Sequence, residues 1–171
     1  MVLGVVMSLY AALSPAVRAL RQRTFMLIKP EAVQRGIVGK IISKFEKIGY
    51  KLVAMKFCQL QPTDEALLKH LADITVKNKA HSSPVTGPVV VMVWEGRDVV
   101  ERARKVIGAD EFVKCMPGSI RGDSILDDAR NGVYGSDSVT TAEKEISLWF
   151  RRGEIVQWDS CFEEWVARSN S

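Results

Sequence analysis

Histidine and cysteine are scarce in this chain. Two histidines, His70 and His81, and three cysteines, Cys58, Cys115 and Cys161, are all that its 171 residues carry. The cysteines are odd in number, far apart and never arranged as Cys-x-x-Cys, which argues against a disulfide framework or a zinc site and reads as the reduced thiols of an intracellular protein. His70 and His81 read as structural or solvent-exposed side chains. Acidic residues are missing from the first 30 positions, Glu31 being the earliest. Internal repeats, low-complexity tracts and linkers are missing too, so most of the chain is expected to be one domain. The formal charge of +4 is concentrated near the amino end, where Arg18, Arg21 and Arg23 lie. The remainder is nearly neutral, which disfavours a nucleic-acid partner held on a basic stripe.

What is present divides in two. Residues 1–23 form an arm: Met1 to Val17 are uncharged, Pro15 breaks the run near its end, and the three arginines follow. A mitochondrial targeting segment fits arginine without acid. A membrane anchor, with membrane contact through residues 1–17, fits a long uncharged run with a basic flank. An apolar arm packed on a partner fits as well, and the location follows the choice: mitochondrial, or otherwise membrane-attached or cytoplasmic. Residues 24–171 carry the globular composition, with 47% hydrophobic and 26% charged residues in the chain as a whole.

Along that second part, Thr24 to Lys29 reads as a short buried strand ended by Pro30. Ile37, Val38, Ile41, Ile42, Phe45 and Ile48 recur at helical spacing and stop at Gly49. Lys51 to Leu60 follows as a strand, Asp64 to Ile74 as a helix, Val89 to Trp94 as a continuous apolar strand and Asp98 to Ile107 as a helix. This alternation predicts an α+β fold of sheet and helices.

The stretch from Arg130 to Ser138 is built of turn residues, and Thr140 with Glu143 forms a capping box ahead of Ile146, Leu148, Trp149 and Phe150. Gly132 and Gly135 bracket Tyr134 and so display one large side chain. Pro117 to Asp123 is a second glycine-bearing loop, with Arg121 as a natural anion ligand. Asp127 and Asp128 form an adjacent pair that reads as a solvated loop.

Lys29-Pro30 after an apolar strand, Gln34-Arg35-Gly36, Gly87-Pro88 before an apolar run ending at Gly96, Pro117 through Asp123 and Asn131 through Ser138 together resemble the nucleoside diphosphate kinases. The likeness covers about residues 22 to 166. It implies a ferredoxin-like βαββαβ sandwich, an antiparallel four-stranded sheet with helices on one face. It also implies γ-phosphoryl transfer through a phosphohistidine in the motif Asn-x-x-His-Gly-Ser-Asp, where this chain has Tyr134. By the same likeness Lys29, Arg104, Arg121 and Asn131 fall on nucleotide-phosphate positions, Glu145 orients the nucleophile, and Ser136 and Asp137 are kept.

Other matched positions disagree with the family. Asp110 stands for a phosphate-contacting threonine, Leu71 for a tyrosine, and Asp128 for an apolar residue beside the base. The segment from Val76 to Pro84 is shortened where the family places a phosphate arginine and a stacking phenylalanine. A phenol, with a reference pKa of about 10, is a poor substitute for imidazole at neutral pH. The expectation is therefore a catalytically inactive or strongly impaired relative that serves as a structural subunit of a larger assembly. The alternative is a nucleoside diphosphate kinase or a nucleotide-binding regulator with residual phosphate binding. Only that alternative calls for ATP or ADP with magnesium, and no protein-held metal is expected. Glu111-Phe112, where the family has Asn-Pro, and the extension Ala167 to Ser171 leave a homo-oligomer open, while Phe112 suits contact with a different protein partner.

Overall fold

The apolar runs pair into a single sheet in the computed structural model, which describes residues 21–77, 87–109, 114–124 and 132–158. Strand β1 is Gln22–Ile28, and the helix α1, Pro30–Gln34, follows at once, with Pro30 in its first turn, where a missing N–H costs nothing. Gln22 and Arg23 are thus strand and not arm, so the boundary drawn at residue 24 moves back. Helix α2, Val38–Lys47, turns its Ile41 and Phe45 inward and closes at Gly49, whose φ of 89° is the left-handed conformation that glycine tolerates. Ile48, expected on the buried stripe, is exposed.

Strand β2 is Lys51–Gln59, helix α3 Glu65–Lys77 and strand β3 Pro88–Gly96. Helix α4, Val99–Ile107, leads to the short helix α5, Ile120–Ser124. Strand β4 is Val133–Gly135, and helix α6, Val139–Trp149, runs into a 3₁₀ turn at Arg152–Glu154. All three strand pairings are antiparallel and the order is β2-β3-β1-β4. The ferredoxin-like α+β architecture is therefore present.

Side-chain alternation sends the residues of one strand to opposite faces. Met26 and Ile28 of β1 and Met92 and Trp94 of β3 join Phe45 of α2 and Ala103 and Ile107 of α4. The two crossover helices thus share one face, as expected of the fold. The second face is covered as well: Phe25, Leu27, Val91 and Val93 pack with Leu71 and Ile74 of α3 and with Ile146 and Trp149 of α6. The arrangement with helices on one face extends to both. It explains why β1 from Phe25 to Ile28 and β3 from Val89 to Trp94 are apolar at every position, since neither face meets water there.

Residues 1–20, on which the targeting, anchor and partner readings depend, lie outside the described residues. Among the described residues no helix is long and apolar enough to cross a membrane.

Candidate functional site

Helix α6 fixes one wall of the site. Its N-cap is Ser138, whose Oγ accepts from the Thr141 N–H at 3.1 Å. The helix therefore starts two residues before the expected Thr140 cap, and Glu143 plays no part in that bond. This start sets Glu145 on the inner side of the helix, beneath β4. Buried there, Glu145 takes the Tyr134 Oη–H on Oε1 at 2.6 Å and the Ser136 Oγ–H on Oε2. Ser136 in turn accepts the Phe25 N–H at 3.3 Å, which ties the cluster to β1. Tyr134 and Glu145 are thus in direct contact.

Tyr134 sits in β4 opposite Leu27, with 5% of its surface exposed. Burial, first of all, pushes its hydroxyl far above the usual phenol range. The hydrogen bond to Glu145 and the charges of Glu145 and Asp137 act in the same direction, and Arg104 opposes them. The close approach of β4 to α1 requires a residue without a side chain at position 132: a Cβ there would lie 2.6 Å from the Ala32 Cβ. The next link is the Lys29 N–H, which donates to the Gly132 carbonyl at 2.8 Å.

Tyr134 lines a cleft of about 760 Å³ shared with Arg104, Lys114, Arg121, Asp137 and Ser138. Arg104, in the last turn of α4, is exposed to it. Arg121, expected as a phosphate ligand, also lines the cleft. It is buried, and its Nη1 and Nη2 donate to the carbonyls of Gly108 and Val133 at 2.7 and 2.9 Å, so it braces the exit of α4 against β4. Lys29 is also buried, at the junction of β1 and α1. Leu71 belongs to the core of the second face, where it is 1% exposed. Asp110, Asp127, Asp128 and Asn131, with Glu111, Phe112, His81, Cys161 and Trp165, lie outside the described residues.

His70, which reads from the sequence as structural or solvent-exposed, lies beside Tyr134 and Glu145. Its Nε2 lies 3.2 Å from Glu145 Oε1, and its Nδ1 accepts the Trp149 Nε1–H at 2.9 Å. No motif announced this contact, because His70 and Glu145 are 75 residues apart. The only sequence signal was the helical spacing that sets His70 beside the core residue Leu71. Trp149 lies in the core, and Trp158 is half exposed and donates to the Leu52 carbonyl at 3.1 Å.

Comparison with known proteins identifies the kind of chain. A family profile described as Nucleoside diphosphate kinase matches residues 22–155. The chain is 47% identical over 148 residues to the nucleoside diphosphate kinase of Aspergillus fumigatus, an alignment covering 85% of this chain and 95% of that protein. It is 45% identical over 153 residues to that of Drosophila melanogaster, covering 85% and 96%. To nucleoside diphosphate kinase 1 of Spinacia oleracea it is 48% identical over 149 residues, covering 85% and 98%. These likenesses overturn the expectation of a catalytically inactive assembly subunit. Proteins that align over nearly their whole length at this identity carry the name of an enzyme, which favours the alternative reading.

Proposed function

The chain belongs to the nucleoside diphosphate kinase family, and from that premise we propose that it transfers the γ-phosphoryl group of a nucleoside triphosphate to a nucleoside diphosphate. By the resemblance of Asn131 through Ser138 to the family motif, Tyr134 stands where the phosphate-accepting histidine is expected. The single observation that carries the reading is the Tyr134 Oη–H held at 2.6 Å from Glu145 Oε1 at the edge of a cleft that Arg104 also faces.

The geometry suits covalent transfer with a general base. Tyr134 Oη attacks the γ-phosphorus while its proton passes to Glu145 Oε1. The Oη–P bond forms as the bond from phosphorus to the β–γ bridging oxygen breaks, and that electron pair leaves with the nucleoside diphosphate. In the second half a β-phosphate oxygen of the incoming diphosphate attacks the same phosphorus, the aryl ester opens and the proton returns to Oη. Because the raised phenol does not ionise on its own near neutrality, deprotonation and attack must be concerted, so the base has to be in place beforehand. Arg104 would supply positive charge to the spread anionic oxygens, and magnesium, entering as part of the nucleotide substrate, would add to that neutralisation.

The test is exchange of labelled phosphate from ATP to GDP by the purified chain. Wild type is expected to exchange and to carry the label on Tyr134 between half-reactions, and Tyr134→Phe to do neither. Tight ADP binding without exchange would leave a nucleotide-binding regulator instead and overturn the kinase.

A further inference from the structure

Glu145 is the base of the proposed transfer, so whatever fixes its carboxylate sets the rate. A buried carboxylate needs donors on both oxygens to offset its lost hydration. Oε2 has Ser136. Oε1 has two neighbours, Tyr134 Oη at 2.6 Å and His70 Nε2 at 3.2 Å.

The state of the imidazole follows from its other nitrogen. An indole N–H can only donate. Trp149 Nε1 is 2.9 Å from His70 Nδ1, so Nδ1 presents a lone pair and the ring proton is on Nε2, directed at Glu145. Both nitrogens are thereby engaged, which removes His70 as an alternative phosphate acceptor. The ring is also confined sterically. Phe25 and Trp149 meet it edge-on at centroid distances of 6.0 and 6.1 Å, and the Tyr134 ring stands at 89° to it, 6.5 Å away.

We propose that His70 is a positioning residue for the transfer: fixed as the Nε2–H form by Trp149, it donates to Glu145 Oε1 and holds that oxygen toward the Tyr134 hydroxyl. The inference rests on the kinase reading given above. Without His70 the carboxylate keeps Ser136 on Oε2 and gains freedom to turn Oε1 away from Tyr134. Nucleotide contacts on the Arg104 side of the cleft are untouched. The loss therefore falls on kcat and not on KM.

The experiment uses the full chain and four forms: wild type, His70→Ala, His70→Gln and Trp149→Phe. The Gln side chain returns an N–H donor near the former Nε2, whereas Ala returns none. His70→Ala is expected to lower kcat for ATP–GDP exchange roughly tenfold or more, the worth of one hydrogen bond to a charged group. KM should stay within about twofold, and His70→Gln should recover most of the rate. Nitrogen-15 resonances of the wild-type ring should show Nε2 protonated and Nδ1 bare, and Trp149→Phe should mix the two tautomers. The Tyr134 Cζ resonance should move in His70→Ala and return in His70→Gln.

A bare Nε2, an Ala variant with unchanged kcat, or a Tyr134 resonance indifferent to position 70 would overturn the proposal. If wild type performs no exchange, the kinase reading fails. The two resonances still decide the positioning role, and Trp149→Phe does so even where His70→Ala does not fold.

Discussion

Tyr134 is a side chain whose environment and chemistry pull in opposite directions. Its surroundings favour the neutral phenol, which satisfies Glu145, while nucleophilic attack needs the oxygen without its proton. An imidazole at the same position would attack through a neutral nitrogen lone pair and need no such transfer. Tyr134→His is therefore expected to raise ATP–GDP exchange by at least about tenfold, the scale on which general-base assistance acts. A rate equal to or below that of wild type would show that phenol ionisation does not limit the step. The raised phenol also has a thermodynamic consequence. Its folded-state pKa lies above the unfolded value, so the stability it contributes is fully present below about pH 10 and is lost as pH rises beyond that point. Denaturation midpoints measured from pH 9 upward should fall more steeply for wild type than for Tyr134→Phe. Parallel curves would remove the linkage.

At the scale of elements, helix α6 is the most informative. Thr140 with Glu143 satisfies the capping-box pattern, whereas Ser138 is followed three residues on by Thr141, so pattern alone points to the later cap. Packing chooses, because starting at Val139 sets Ala142, Glu145, Ile146 and Trp149 on the buried side. Ser138→Ala is expected to cost about 1 kcal/mol in urea denaturation, with Thr140→Ala nearly neutral. The reverse order would restore the Thr140 cap. Strands β1, β2 and β3 and helices α2 and α4 were legible within a residue or two of their ends, since their apolar spacing is strong. The second covered face was legible in part: runs such as Phe25-Met26-Leu27-Ile28 do not alternate, and an unbroken apolar strand already implies burial on both sides. In the site, Tyr134 with Glu145, eleven residues apart, could be read only through the family likeness. The Trp149–His70–Glu145 chain could not, because spacing along a chain carries no information about which turn of α3 lands on which turn of α6.

At the scale of the whole molecule, the site depends on a sheet held between two cores, and one cluster ties three of its strands together at the end remote from β4. Glu95 of β3 lies opposite Arg23 of β1 and Lys51 of β2. Arg23 Nε is 2.7 Å from Glu95 Oε2 and Lys51 Nζ is 2.8 Å from Oε1. Lys51 also donates to the Trp158 carbonyl at 2.7 Å, while the Val156 N–H donates to the Val53 carbonyl at 2.8 Å, so the chain beyond α6 is clasped to β2. Arg23 is 30% exposed and can turn to water, but Lys51, at 7%, has no such escape. Glu95→Leu should therefore remove the buried carboxylate that faces the Lys51 ammonium and cost about 3–5 kcal/mol in urea denaturation. Combining it with Lys51→Met removes the ammonium as well and replaces the pair by apolar volume, which should recover most of that loss even though the Trp158 carbonyl also loses its donor. A Glu95→Leu protein within 1 kcal/mol of wild type would mean that the cation reaches solvent and that the cluster fastens nothing. A double variant no better than the single one would place the loss in the clasp on the segment from Val156 to Trp158, and not in the missing carboxylate.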